Sequence, residues 1–279
     1  MNRSVPRVSR RTRTVEESRG IRVTEALRRA EQARRNALNR ARRLSNPEYI
    51  LNLKLIVWKK LWDFFTSDDL IREYIIGSDS TYTLRLNSTS PITAPKGSLY
   101  IPSSGGEGHF IAYEINGNKI HIFDSSGYAY QEFSKNPRIK NSIRIRSKRS
   151  IVNIANNPQD ICPGDTFCQT WSLAWLSPKL RHLTKLKRNT HNTDNAIDSM
   201  YTIIHTISRN RQFLEWMNVN RVLYTEKIRE KIESMTAKNV GDNKGVNLVC
   251  KEFNTTDKFL RFTQNIPKRY VAKIMLDDL

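Results

Sequence analysis

The residues with the clearest chemical potential lie in one short run, Asp160-Ile161-Cys162-Pro163-Gly164-Asp165-Thr166-Phe167-Cys168-Gln169-Thr170-Trp171-Ser172-Leu173-Ala174-Trp175-Leu176. A Pro-Gly turn is followed by an Asp-Thr helix start, and Cys168 falls in the first turn of an apolar, tryptophan-bearing helix. Unsatisfied amides and the positive end of a helix stabilise an anion there, which favours a reactive thiolate. A structural cysteine is better served by the middle of an apolar face. Cys168 is therefore a candidate nucleophile, provided that the chain supplies a base.

A hairpin further upstream offers one. His109 opens the apolar strand Phe110-Ile111-Ala112-Tyr113-Glu114-Ile115, and Asn116-Gly117-Asn118 makes a hairpin turn. The return strand, Lys119-Ile120-His121-Ile122-Phe123, ends at Asp124. Antiparallel pairing brings the start of the first strand to the finish of the second, so His109 and Asp124 share one edge of the sheet. A carboxylate placed there orients an imidazole, and the imidazole can take the thiol proton of Cys168. Each residue alone has an ordinary explanation: a histidine opening a strand is usually structural, and an aspartate before Ser125-Ser126-Gly127 is a turn residue. The conjunction of His, Asp and helix-start Cys, each at the end of its element, is what points to catalysis. His121 sits mid-strand, where a base is hard to aim at a helix start, and His182, His191 and His205 read as structural or exposed. No spacing resembles a zinc site, and no cofactor is implied.

The elements that must carry these residues can be read in order. Asn46-Pro47 starts a helix running roughly to Phe65 that is apolar almost all round, with Leu51, Leu55, Trp58, Leu61, Trp62 and Phe65 as core. Ser67-Asp68-Asp69 caps a second short helix ending before Gly77. Strands follow at Tyr82 to Leu86, at Leu99-Ile101 before Pro102 and the turn Gly105-Gly106-Glu107-Gly108, in the His109 hairpin, at Ile143 and Ile145, and at Ser150 to Ile154. The Cys168 helix stops at Ser177-Pro178. Helices resume from about Asp194: an apolar face at Ile197, Met200, Tyr201, Ile204 and Ile207, a charged helix from about Thr225 to Lys238, a loop from Gly241 to Asn247, and a short helix from Thr256 to Thr263. Helices, then a central antiparallel sheet, then helices make the class α+β.

Composition bounds the partners. The chain has 279 residues and a net charge of +20, which favours a polyanionic partner without determining the fold. Residues 1–45 hold fourteen arginines and no lysine, with Glu16, Glu17, Glu25 and Glu31 as acids, about +10 in all. The first twenty residues have no apolar period and read as disordered, whereas Arg22 to Leu44 has a weak helical seam. That tail is either a solvated helix or a nucleic-acid-binding arm. Its glutamates and length argue against a mitochondrial presequence. Three cysteines make no disulfide framework and suggest a reducing, intracellular compartment, and no run is apolar enough for a membrane span.

The stretch from about residue 97 to 178 resembles the ubiquitin-like-protein-processing cysteine proteases and the related adenovirus protease. The pieces are Leu99-Tyr100-Ile101-Pro102, His109 with its apolar strand, Phe123-Asp124-Ser125, and Pro163-Gly164 before Cys168. The run Gly164-Asp165-Thr166-Phe167-Cys168-Gln169-Thr170-Trp171-Ser172-Leu173 looks most like members encoded by large DNA viruses. The resemblance implies a papain-like core, a Cys168–His109–Asp124 triad, and a protein substrate that is either a viral structural precursor cut during particle maturation or a ubiquitin-like conjugate. A virion or host-cytoplasmic setting goes with it. The pattern departs at three points: Phe110 follows the histidine in place of tryptophan, Cys168 lies between Phe167 and Gln169 in place of aspartate and glycine, and Cys162 stands where an oxyanion glutamine is expected. Gln159 is the nearest upstream glutamine and the candidate for that role, with the Cys168 amide as second donor. On this reading residues 1–45 are a tail and 46–279 a protease-like domain, with a catalytic core at about 97–178 and a helical extension at about 194–279. The rival from another class is a non-catalytic basic protein that binds nucleic acid or a virion component through a retained protease-like scaffold.

Overall fold

The computed structural model describes residues 15–80, 82–86, 89–102, 108–127, 141, 143–144, 146–154, 158–162, 164–186, 193–237 and 243–276. The chain divides into an N-terminal unit, Met1–Leu51, and a main unit, Asn52–Leu279. The N-terminal unit is built on helix α1 (Val15–Leu44), which begins ahead of Arg22, where the periodicity placed its start. Residues 24–43 are all exposed, and Arg29–Glu25 and Arg35–Glu31 pair along the surface. The expectation of disorder for residues 1–14 lies outside the described residues. Helix α2 (Pro47–Ser67) starts as its sequence requires, with proline at the first helical position and Asn46 Oδ1 accepting from the Glu48 amide at 2.9 Å.

In the main unit α3 (Asp69–Ile76) follows, capped by Asp68, and a five-stranded sheet comes next: β1 (Tyr82–Arg85), β2 (Lys96–Ile101), β3 (His109–Asn116), β4 (Lys119–Phe123) and β5 (Ser150–Ile154), in that spatial order. The class is α+β, as expected, but the sheet is mixed. β2, β3 and β4 are antiparallel, while β1–β2 and β4–β5 are parallel. The outer strands are joined to their neighbours by segments too long for hairpins, which lets each return in the same direction. The strand expected at Ile143 is instead a helical turn, and Ile145 lies outside the described residues. Two apolar positions in alternation were too little to define a strand, and a buried Ile143 caps the sheet core from the helix equally well.

The remaining helices are α4 (Pro158–Ile161), α5 (Cys168–Leu176), α6 (Thr193–Arg209), α7 (Arg211–Val219), α8 (Arg221–Ala237), α9 (Asn243–Cys250), α10 (Thr256–Asn265) and α11 (Lys268–Leu276). The loop expected from Gly241 to Asn247 is helical from Asn243 onward, because Val246, Val249 and Cys250 form a buried stripe; residues 241 and 242 are outside the described residues.

The sheet is buried on both faces at its centre. One face carries Leu99, Ile111, Tyr113, Ile120 and Ile122. Helix α5 covers the other, with Trp175 stacked on Phe123 at 5.6 Å and Ser172 donating to the Phe110 carbonyl at 3.2 Å. On its far side α5 meets α2. There Trp62 stacks between Trp58 and Phe65, Trp58 packs at a tilt on Phe262, and Phe65 packs edge-on or tilted on Phe213, Tyr224 and Phe259, joining α2 to the C-terminal helices. The two indoles keep their N–H groups satisfied: Trp62 Nε1 donates to Thr170 Oγ1 at 2.9 Å and Trp58 Nε1 to Thr263 Oγ1 at 3.0 Å.

A buried indole N–H left without an acceptor costs about 1–3 kcal/mol. Thr170→Val keeps the shape and removes the acceptor, so it should destabilise the fold by that amount in urea denaturation, whereas Thr202→Val on the exposed face of α6 should change the midpoint little.

Candidate active site

Cys168 is the first residue of α5, preceded by Phe167 at the cap position, and it is partly exposed while Gln169 to Leu176 are all buried. The helix start differs from the simple Asp-Thr cap expected. Asp165 is buried, and its Oδ1 accepts from the Phe167 amide at 2.7 Å while its Oδ2 accepts from Trp171 Nε1 at 2.7 Å. One carboxylate thus latches the loop before the helix to the helix's second turn. Burial pushes its pKa up to about 6 against the opposing pull of those two hydrogen bonds and of Lys59. Lys59, buried on α2, pairs with Asp63, reaches the Thr166 carbonyl at 3.4 Å, and lies 4.3 Å over the Phe167 ring. Gln169 donates to Thr66 Oγ1 at 2.8 Å and to the Asp63 carbonyl at 3.1 Å. The helix that Cys168 begins is therefore held by α2 through polar as well as aromatic contacts.

The hairpin delivers the other two residues. Ala112 pairs with Phe123 and Ile101 with His109, so Asp124 leaves β4 close to where β3 begins. His109 Nε2 and Asp124 Oδ1 are 2.8 Å apart, and Asp124 is buried. Ser126 closes the turn around the carboxylate, donating its amide and its hydroxyl to Oδ1, each at 3.1 Å, with the hydroxyl also 3.3 Å from His109 Nε2. With Nε2 committed to Asp124, Nδ1 is the ring nitrogen left to serve the thiol. Burial alone would lower the imidazole's pKa. The hydrogen bond to Asp124, followed by the hydrogen bond and charge interaction with Cys168, outweighs burial and pushes it up to about 10.

His109, Cys168 and Gln159 line one groove of about 840 Å³ together with Asp165, Tyr100 and Phe110. Gln159 is held at both ends of its amide: Oε1 accepts from Ser125 Oγ, and Nε2 donates to the Asp165 carbonyl at 2.7 Å. Its backbone amide donates to the Ser125 carbonyl at 2.9 Å, which ties the turn after β4 to the loop before Cys168. A Cβ at Gly108 would come within 2.0 Å of the Tyr100 ring, so that ring would have to move for any larger residue to stand beside the histidine. The rest of the expected turn, residues 105–107, lies outside the described residues, as does Pro163.

Cys162 does not line the groove; it is buried, and burial followed by the charge of Asp165 pushes its thiol up to about 11. Cys250 is buried too, with burial raising it to about 11. His121 sits in the middle of β4, paired across the ladder with Glu114, and His205 is buried against the Ile266 carbonyl at 3.1 Å. Among the described residues no group of His, Cys, Asp or Glu is arranged to hold a metal ion. The partners that sequence reasoning missed are Lys59, Asp165 as a latch, Gln169 and Ser126. A lysine inside an otherwise apolar helix was the visible signal for the first. An aspartate six positions before a tryptophan was the signal for the second.

Compared with models of known protein families, with curated proteins and with solved structures, the chain matches none.

The charge pairing sets a pH dependence. A histidine whose folded pKa is raised from 6.5 to about 10 contributes stability that is complete below pH 6.5 and is lost as pH rises through about 10. Asp124→Asn removes its hydrogen-bonded partner. The variant should be destabilised most at pH 6 and approach the wild type towards pH 10, measured as the difference in urea midpoint across that range. A constant difference would contradict the pairing.

Proposed function

We propose that this chain is a thiol-dependent endopeptidase in which Cys168 is the nucleophile, His109 the general base and then acid, and Asp124 the group that orients the imidazole. The observation that carries the reading is the meeting of a carboxylate-held histidine and a helix-start cysteine in one open groove. His109 takes the thiol proton, and the Cys168 sulfur attacks the scissile carbonyl. The imidazolium then gives its proton to the leaving amine as the carbon–nitrogen bond breaks. Water, deprotonated by the same imidazole, hydrolyses the thioester and frees the sulfur. Oxyanion charge would fall near the start of α5, where the Cys168 amide and the second hydrogen on Gln159 Nε2 are the candidate donors.

The resemblance to ubiquitin-like-protein-processing and adenovirus-type proteases supports a papain-like description of the core and, through its viral members, a substrate among structural precursors cut during particle maturation. Ubiquitin-like conjugates are the other substrate class. The exposed arginines of α1 favour nucleic acid as a further partner of the tail. They are also what the rival reading, a non-catalytic basic protein on a protease-like scaffold, would rest on.

A peptide-based electrophile separates the two readings. It should label Cys168 in the wild type, with labelling falling by about a hundredfold or more in His109→Ala and vanishing in Cys168→Ala. Cys162 and Cys250, buried with thiol pKa values near 11, should stay unlabelled. Equal labelling of those two, or no labelling at all, would overturn the enzyme reading. For the tail, deletion of residues 1–45 should remove salt-sensitive DNA binding. Unchanged affinity and salt slope would sink that part alone.

A further inference from the structure

From the charge left over on one wall of the groove, we infer that the site selects substrates with an acidic side chain beside the scissile bond, received by Lys60 and Lys231. The inference rests on the peptidase reading and adds a substrate class to it. One face of α2 forms the wall opposite Tyr100 and Phe110: Ile56, Lys59, Lys60 and Asp63 recur at helical spacing and all line the groove, joined by Lys231 from α8 and Ile274 from α11.

The charges on these walls do not cancel. Asp63 is paired with Lys59 and His109 with Asp124, while the carboxylate of Asp165 is buried and hydrogen-bonded to Trp171 and the Phe167 amide. Lys60 and Lys231 remain, and among the described residues neither has a carboxylate partner; Lys231 rests 5.6 Å over the Phe64 ring, which holds its ammonium on the α2 side. Lys60 is exposed, so its charge faces whatever enters. An extended peptide lying across Cys168 presents successive side chains to opposite walls. A side chain turned towards α2 meets two ammonium groups beside the apolar surface of Ile56, and an aspartate or glutamate matches them. Phosphate would match the same charge, but the groove centres on Cys168 and His109, whose chemistry under the peptidase reading is directed at a peptide carbonyl.

The test uses the full chain and electrophilic peptide probes of identical composition, with one glutamate placed either next to the reactive position or at the far end. Identical composition cancels the general pull of a protein of net charge +20. Labelling of Cys168 should be about three- to tenfold faster with the adjacent glutamate, the size expected of one or two partly exposed ion pairs, and the advantage should shrink at high salt. Lys60→Glu with Lys231→Glu should abolish it and favour a lysine probe. Lys251→Glu with Lys258→Glu, the same charge change on the exposed surface elsewhere, should leave it intact. Labelling of Cys168 that depends on His109 but ignores glutamate position would overturn this inference and leave the peptidase reading standing. If no probe labels the protein, the peptidase reading fails. The charge site is then judged by fluorescence anisotropy with non-reactive versions of the same peptides. Weaker binding of the adjacent-glutamate peptide by the Lys60/Lys231 variant supports the site, and unchanged binding, or full competition by a single-stranded oligonucleotide with no effect of glutamate position, overturns it.

Discussion

Everything at the candidate site depends on one constraint: a helix buried on all sides that nonetheless carries polar side chains. From Gln169 to Leu176 no residue of α5 is exposed, so the hydroxyls of Thr170 and Ser172, the amide of Gln169 and the indole N–H of Trp171 must find partners inside the protein. They do so in different directions. Thr170 is bound by Trp62, Gln169 by Thr66 and the Asp63 carbonyl, Ser172 by the Phe110 carbonyl, and Trp171 by Asp165. Packing alone would tolerate a small rotation of an apolar rod. Five directional bonds to α2, to the sheet and to the preceding loop do not, since each rotation strands a buried polar group. The aim of Cys168 at the mouth of the helix is the by-product of satisfying the residues behind it.

The histidine is set by a different device. β-pairing gives a register in which the side-chain direction of every residue follows from its neighbours, so the tight turn at Gly117, with its positive φ of 55°, indirectly determines where Asp124 meets His109. Ser126 then surrounds the carboxylate with donors, which offsets the cost of burying Asp124. The two halves of the site are joined by Gln159, whose amide spans Ser125 after the hairpin and Asp165 before the helix. A displacement of either half is felt at this glutamine.

Local chemistry was legible in the sequence; long-range topology was less so. The hairpin could be read because turn residues and alternation are short-range signals, and so could the helix start at Cys168. The parallel pairing of β1 with β2 and of β4 with β5 could not, since it depends on which edges remain open after the hairpin has formed. Ile143 misled because an apolar residue near a sheet fits a strand and a covering helical turn alike. Asp165 was visible as a helix-start residue, but its bond to Trp171 was not, because nothing in composition says that the carboxylate is buried. The C-terminal helices read as an extension, yet Phe213, Tyr224 and Phe259 pack on Phe65 of α2 and so belong to the core beneath the Cys168 helix.

That last point bears on how the groove is made. Helix α2 turns Trp58, Trp62 and Phe65 into the core and Ile56, Lys59, Lys60 and Asp63 towards the groove, two faces of one helix. Lys59 is the joint between them. Its ammonium is buried, paired with Asp63 and set over the Phe167 ring, and it touches the loop that leads into Cys168. A buried cation held this way stabilises little beyond its own desolvation cost, so its worth lies in geometry: it fixes the distance between the α2 wall of the groove and Cys168. The C-terminal helices hold α2 from behind, and α8 and α11 add Lys231 and Ile274 to the same wall. The helical part of the chain is thus both the support of the candidate catalytic helix and half of the surface a substrate would meet, and the sheet supplies the other half.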